Sequence, residues 1–337
     1  MKVGVITFSK RGNQLAIESR KFWPDMTIWS KYENSQGNIL PFGELHDCVK
    51  QAFLEKELLI FIGATGIAVR LIAPCLIHKR TDPAILVVDE TGKFVISLVS
   101  GHLGGANAYA KQLASHLGGT AVITTATDCN GLQSPDLFAK ENHFAVQNQH
   151  RLKMATALLL EQGYLTVLDV ENRVKDLPQE YKKIQELEHN TGLVIHWKLL
   201  DLVKEECYLI PRVVCLGIGC KRGKSKKELQ EVVENVLEQA GIFKEAILRI
   251  GTIDLKANEE GLVEFAQELG CELDCYSAKE LNQVKGNFHR SEFVAQVTGV
   301  DNVCERGAIL ASRGGELMIS RVAQNGVTVA VAVIKGA

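Results

Sequence analysis

The chain has 337 residues, 46% of them hydrophobic and 23% charged, with a formal net charge of −2. This is the composition of an ordinary soluble globular protein with room for two or three domains, and it leaves no overall charge to draw the chain onto nucleic acid or an anionic membrane. The opening MKVGVITFSK holds too short an apolar stretch for an export signal, and the run 327–334 is too short to span a bilayer, so a cytoplasmic protein is expected.

The pattern predicts a strand at 3–7, a helix over 13–22, a strand at 26–29, a helix over 44–57 and a buried strand at 58–62. A helix is predicted from 65 to 72. Strands at 85–89 and 94–99 flank Glu90-Thr91-Gly92-Lys93 and read as a hairpin. A helix is predicted over 102–117, closed by Gly118-Gly119, and a last strand at 121–124. Such alternation predicts an α/β domain at 1–130, its mainly parallel sheet covered by helices on both faces.

Residues 131–210 read as a small middle linker domain. It has a helix over 152–161, a strand at 164–170, a charged solvated loop over 171–190, and strands at 193–197 and 207–210. Pro211 marks the next boundary, and 211–337 reads as a second α/β domain. Its predicted elements are strands at 212–216, 246–250 and 273–276, with helices over 225–239, 261–268 and near 291–297. Strands at 316–322 and 327–334 flank Gln324-Asn325-Gly326, where Asn-Gly suits a type I′ turn because both central residues need positive φ. The nine cysteines form no CxxC pair and no zinc spacing, so reduced structural thiols are expected, with no protein metal site.

Two stretches place glycines where a strand hands over to a helix. One is FIGATGIAVR, with Gly63, Thr65 and Gly66; the other is SLVSGHLGGANA, with Ser100, His102, Gly104, Gly105 and Asn107. Ligands of open parallel sheets bind outside the carboxyl ends of the strands, where helix N-termini suit anions. Both loops are therefore expected to line one edge of the sheet, although tight turns explain the glycines as well. Ser100 fits a helix cap. His102 is expected in the first turn of its helix, where the dipole disfavours the imidazolium and leaves the neutral ring that a general base needs. A histidine that only bonds a loop carbonyl fits too.

His78, Lys79 and Arg80 make a compact cationic run before the turn Thr81-Asp82-Pro83, suited to carboxylates or phosphates or simply to solvent. CLGIGCKRGKSKKELQ is not a P-loop, because three residues rather than four separate Gly219 from Gly223, and its third fingerprint position holds Arg222. It leaves a helix start with Ser225 and Glu228 at capping-box spacing, surrounded by Lys221, Arg222, Lys224, Lys226 and Lys227. Glu305 and Arg306 begin another helix, facing a ligand or each other. These residues alone reach no further than an enzyme or binder of a multiply anionic small molecule.

Taken together, GATGIAVRLIAP, DPAILVVDETGKFVISLVSGHLGGANAYA, VITTATD, GIGCKRGKS, IDLKANEEGLVEFAQEL and NVCERGA resemble the cobalt-precorrin-5A hydrolases of anaerobic cobalamin biosynthesis, over nearly the whole chain. The resemblance implies a cobalt tetrapyrrole substrate whose δ-lactone is opened by water with loss of acetaldehyde, a hydrolase that breaks a carbon–carbon bond. Cobalt belongs to that substrate, so no cofactor of the protein's own is implied. It also implies His102, within GHxGGAN, as the base, with Glu305 as the second choice for an acid. N–H groups around Gly63, Gly66, Gly104 and Gly105 would serve the oxyanion or a carboxylate. Thr65, Ser100 and Asn107 would line the substrate, and Lys79, Arg80, Lys221 and Arg222 would hold its carboxylates. The alternative implied by a stand-alone relative of the C-terminal part is a non-catalytic tetrapyrrole carrier. Other enzymes of the pathway are the further partners it leaves open.

Overall fold

A computed structural model describes residues 1–32, 37–78, 81–186, 192–200 and 206–335. The chain divides into two compact units, Met1–Leu137 and Phe138–Ala337. No helix among the described residues is long and apolar enough to cross a membrane.

The first unit is built on one seven-stranded sheet. Its strands are β1 (Val3–Thr7), β2 (Thr27–Ser30), β3 (Ile39–Pro41), β4 (Leu58–Ile62), β5 (Ala84–Val88), β6 (Phe94–Val99) and β7 (Thr120–Val122), in the order β3-β2-β1-β4-β5-β6-β7. Its helices are α1 (Lys10–Ser19), α2 (Leu45–Glu55), α3 (Thr65–Ile72), α4 (Ala106–Leu117) and α5 (Ala126–Cys129), and α6 (Pro135–Glu141) begins within it. β4 shows why the sheet needs helices on both faces. Side chains alternate across a strand, so Leu58, Ile60 and Ile62 join one core with Ala106, Ala110 and Leu113 of α4. Leu59 and Phe61 join the other, with Val49 and Phe53 of α2 and Leu71 and Ile72 of α3.

Direction along this sheet positions the loops. β1 to β5 run parallel to their neighbours, but β6 returns antiparallel to β5, pairing Val99 with Ile85 and Val95 with Val88. β7 then runs parallel to β6. The carboxyl ends of β6 and β7 therefore lie at the edge where β5 begins. Gly63, Thr65 and Gly66 follow β4 at the other edge, and the Gly63 N–H donates to the Val88 carbonyl at the end of β5 (2.8 Å). The expectation that both glycine loops share an edge is overturned, because the hairpin between β5 and β6 reverses the chain.

The start of α4 is a second correction. The helix begins at Ala106, so His102 precedes it rather than standing in its first turn. Gly105, at φ +88°, is the N-cap, and Ser100 takes φ +59°. The loop closes on itself: the N–H groups of Gly105, Ala106 and Asn107 donate to the carbonyls of His102, Ser100 and Gly101. Ser100 caps nothing with its side chain.

The second unit holds two five-stranded sheets. One contains β8 (Ala145–Val146), β9 (Leu165–Asp169), β10 (Tyr181–Ile184), β11 (Leu193–Ile195) and β12 (Tyr208–Ile210), ordered β10-β9-β11-β12-β8, with α7 (Gln149–Gln162) between β8 and β9. The segment expected to be a solvated loop over 171–190 thus contains β10, which pairs in parallel with β9; residues 187–190 lie outside the described residues. The other sheet contains β13 (Val214–Cys220), β14 (Ile247–Ile253), β15 (Glu272–Tyr276), β16 (Glu316–Gln324) and β17 (Val327–Val333), ordered β15-β14-β13-β17-β16. Its helices are α8 (Lys226–Ala240), α9 (Glu260–Glu268), α10 (Ala278–Gln283), α11 (Glu292–Thr298) and α12 (Cys304–Ala311). The two sheets share one apolar core, in which Leu168, Val194 and Tyr208 pack with Val214, Leu216 and Ile218. Asn325 and Gly326 both take positive φ in the β16–β17 turn, and Ser225 and Glu228 form the expected capping box on α8.

Candidate active site

The carboxyl ends of β6 and β7 bring His102 between two carboxylates of the first unit. Nε2 lies 3.1 Å from Asp128 Oδ2, and Nδ1 lies 3.4 Å from Asp136 Oδ1. Two hydroxyls complete the ring's surroundings, Thr127 Oγ1 at 3.2 Å from Nε2 and Ser134 Oγ at 3.3 Å from Nδ1. Asp128 is the last residue of the stretch after β7 that the family resemblance quoted. Asp136 stands in the first turn of α6, behind Pro135, a residue whose fixed φ suits a helix start.

Each carboxylate is itself held. Asp128 Oδ2 accepts from Asn107 Nδ2 (2.9 Å), and Asp128 Oδ1 pairs with Lys111 Nζ (3.2 Å). Asn107 also donates to Thr125 Oγ1 (3.1 Å) and accepts from Ser97 Oγ (2.6 Å). Asp136 Oδ1 accepts from Ser134 Oγ (2.5 Å) and from the Leu137 N–H (2.9 Å). The hydrogen bond to Asp136 raises the His102 pKa above that of a free imidazole; burial works against it, and Asp128 adds to the rise. Burial alone would push Asp136 up, but hydrogen bonds from His102 and Ser134 hold it at about 2. No helix dipole lies beneath the ring to keep it neutral; the flanking carboxylates favour the imidazolium instead. Carboxylates on both nitrogens make His102 a stronger base, and its resting form at low pH is the paired imidazolium.

The structure sorts the other sequence candidates. Asn107 is buried with its side-chain amide fully engaged, so it positions Asp128 rather than lining a substrate surface. A Cβ on Gly104 would meet Ser100 Cβ at 2.5 Å and its carbonyl oxygen at 2.8 Å, so only glycine fits there. The Gly105 N–H is spent on His102 O and offers nothing to an oxyanion. Ser100 Oγ donates to the Asp82 carbonyl oxygen (3.1 Å). Buried Asp82 accepts the N–H groups of Ile77 (3.2 Å) and His78 (3.1 Å), tying the segment before β5 to the His102 loop. Lys79 and Arg80 lie outside the described residues.

Gly63, Thr65 and Gly66 belong to the opposite sheet edge, so His102 is not joined by them. A Cβ on Gly63 would meet the Phe8 ring at 2.9 Å, and its φ of +154° is one that side chains rarely adopt. In the second unit, Gly217 serves close packing, since a Cβ there would lie 1.7 Å from the Cys304 carbonyl oxygen on α12. Lys224 pairs with Glu228 and Lys226 with Glu268, while Lys221, Arg222 and Lys227 are exposed and pair with no carboxylate among the described residues.

Glu305 is not placed to act as an acid. It is 1% exposed and accepts from the N–H of His289 (2.9 Å), His289 Nδ1 (2.9 Å), the Arg321 N–H (2.8 Å) and Asn302 Nδ2. Burial would raise its pKa, but the N–H groups of Arg321 and His289 prevail and keep it ionised. Arg306 pairs with Asp301 (2.9 Å), not with Glu305. Asp128, Asp136, Thr127, Ser134 and Lys111 were not singled out by the sequence reading. The one available signal was the hydroxyl-rich TTATD following a strand on the same edge.

Fold and site together define an α/β protein that carries a histidine flanked by two carboxylates at a sheet edge, an arrangement for proton transfer. Residues 47–128 match the family model described as Cobalamin synthesis G N-terminal, and residues 214–332 that described as Cobalamin synthesis G C-terminus. A cobalt-precorrin-5A hydrolase of Priestia megaterium is 31% identical over 98% of this chain and 94% of its own length. One from Salmonella typhimurium is also 31% identical, over 91% of each chain. A crystal structure of a cobalamin biosynthesis protein G homolog from Sulfolobus solfataricus aligns over 99% of this chain and 97% of its own, at 20% identity and a TM-score of 0.39. The chain belongs to the cobalt-precorrin-5A hydrolase family.

Proposed function

We propose that this chain opens the δ-lactone of a cobalt tetrapyrrole with water and releases acetaldehyde; its relatives carry the name cobalt-precorrin-5A hydrolase. The observation that carries the reading is His102 with a carboxylate on each ring nitrogen, at an edge formed by parallel strands. His102 is the base. Asp136 holds Nδ1–H, and Nε2, once free of its proton, takes one from a water beside Thr127. The water oxygen adds to the lactone carbonyl carbon, the acyl carbon–oxygen bond breaks, and the departing oxygen takes the proton back from the imidazolium. A carboxylate and a hydroxyl result. Removal of the hydroxyl proton then breaks the adjacent carbon–carbon bond, acetaldehyde leaves, and the macrocycle carbon takes a proton. The sum consumes one water.

The reading treats cobalt as part of the substrate and gives the protein no cofactor of its own. It takes the setting to be the cytoplasm. The test is acetaldehyde release from cobalt-precorrin-5A by wild type beside His102→Ala, with binding followed by the absorbance of the macrocycle. The expected result is a loss of about 10²–10⁴-fold with binding retained. Binding without release by the wild type would show a carrier instead. Equal release by both would remove His102 from the chemistry.

A further inference from the structure

Lactone opening puts negative charge first on the carbonyl oxygen and then on a new carboxylate, and catalysis needs a donor for it. The loop that carries His102 does not supply that donor from the start of α4. The N–H groups of Gly105, Ala106 and Asn107 are spent on the carbonyls of His102, Ser100 and Gly101. Asn107 has no free N–H in its side chain either, because both are committed to Thr125 and Asp128.

One turn along α4, Lys111 stands on the same helix face as Asn107, at the i,i+4 spacing that stacks side chains. Its Nζ lies 3.2 Å from Asp128 Oδ1, and its side chain is 63% exposed. An ammonium has three N–H groups. Asp128 takes one, and no other partner is in hydrogen-bond range among the described residues. The lysine is thus tethered to the carboxylate that faces His102 Nε2 while still presenting donors to whatever docks there. Of the cations in the first unit, it is the one that ion-pairs into the His102 cluster among the described residues.

We infer that Lys111 is a catalytic residue of this site, donating to the lactone carbonyl oxygen as charge develops and then holding the carboxylate that ring opening creates. This rests on the reaction proposed above. The electron balance is simple: the carbonyl π pair moves onto the oxygen that Lys111 faces, then returns as the acyl carbon–oxygen bond breaks. Lys111 keeps its proton throughout. Charge that appears only in the transition state and product is where a fixed cation lowers the barrier rather than merely tightening substrate binding.

The experiment compares wild type, Lys111→Met and Lys111→Arg in single-turnover lactone opening, with affinities for lactone and ring-opened product measured separately by absorbance. Lys111→Met should slow opening by about 10²-fold, the usual loss for one such donor, and weaken the opened product more than the lactone. Lys111→Arg, which keeps charge and donors, should recover much of the rate. A lysine that only positions Asp128 would move the pH profile set by His102 and leave the product-to-lactone affinity ratio unchanged; that result overturns the assignment. So does a rate loss matched by an equal loss of lactone affinity. If wild type opens the lactone and Lys111→Met keeps pace, this inference alone fails. If wild type does not open it, the reaction reading fails and this inference falls with it.

Discussion

Asp136 Oδ1 faces His102 Nδ1 at 3.4 Å, and Ser134 Oγ bonds the same carboxylate oxygen. Asp136 and Ser134 thus engage Nδ1, while Nε2 faces Asp128 and Thr127 and is the nitrogen that the proposed reaction uses. It also sets the pH behaviour. The His102 pKa is raised, so the base form, and with it the rate, should appear as pH rises through that raised value.

Asp136→Asn removes the main cause of the rise. The acid limb of the kcat/KM profile should move to lower pH, and the rate on the plateau should fall because the ring is less basic and less firmly held. A pH–rate profile of both proteins checks this, and an unmoved acid limb would mean that another group governs it.

The same pair predicts opposite stability slopes. Asp136 is depressed to about 2, so its contribution is present above its unfolded value of about 3.9 and is lost as pH falls through about 2. His102 is raised, so its contribution is complete below its unfolded value of about 6.5 and fades as pH rises through the folded value. Urea midpoints at acid and alkaline pH should therefore be flatter in Asp136→Asn than in wild type.

Asp82→Ala should cost about 1–3 kcal/mol, because it orphans the N–H groups of Ile77 and His78 that its buried carboxylate accepts. The segment before β5 should become more open to limited proteolysis. The His102 loop, joined to Asp82 by Ser100, should lose activity more steeply than stability. Cleavage sites and turnover measured on the same preparation decide this.

Glu305→Ala leaves the N–H groups of His289 and Arg321 without their acceptor in the second unit. The expected loss is about 3 kcal/mol in stability. Turnover per folded molecule should be nearly unchanged in Glu305→Gln, which keeps the shape and part of the bonding. A large fall in kcat for Glu305→Gln, with stability intact, would restore the acid role that the buried contacts argue against.

Much of the architecture was legible in the sequence because it is local. The all-apolar run of β4 announces a strand buried on both faces, and its flanking amphipathic segments announce the helices that cover it. Ser225 with Glu228 marks a helix start, and Asn325-Gly326 marks a turn, because capping and positive φ are decided within four residues. His102 stood out for the glycines beside it. Its neighbours did not: Asp128 is 26 residues away in the chain, and no local signal ties an aspartate to a histidine at that distance.

The hairpin at Glu90–Lys93 shows where the sequence stops and the tertiary structure takes over. Its existence was readable from the turn residues and the flanking apolar runs. Its consequence is not readable there: reversing β6 sends the His102 loop to one edge of the sheet and leaves Gly63 and Gly66 at the other. Sequence alone determined most of the elements, though not β10, together with the core faces and the family resemblance, since periodicity and turn chemistry are properties of neighbouring residues. Only the folded sheet decided that His102 stands before its helix between two carboxylates, and that Glu305 is buried and spoken for. Charge placement depends on strand direction and on contacts across the chain, and those are set when the sheet assembles.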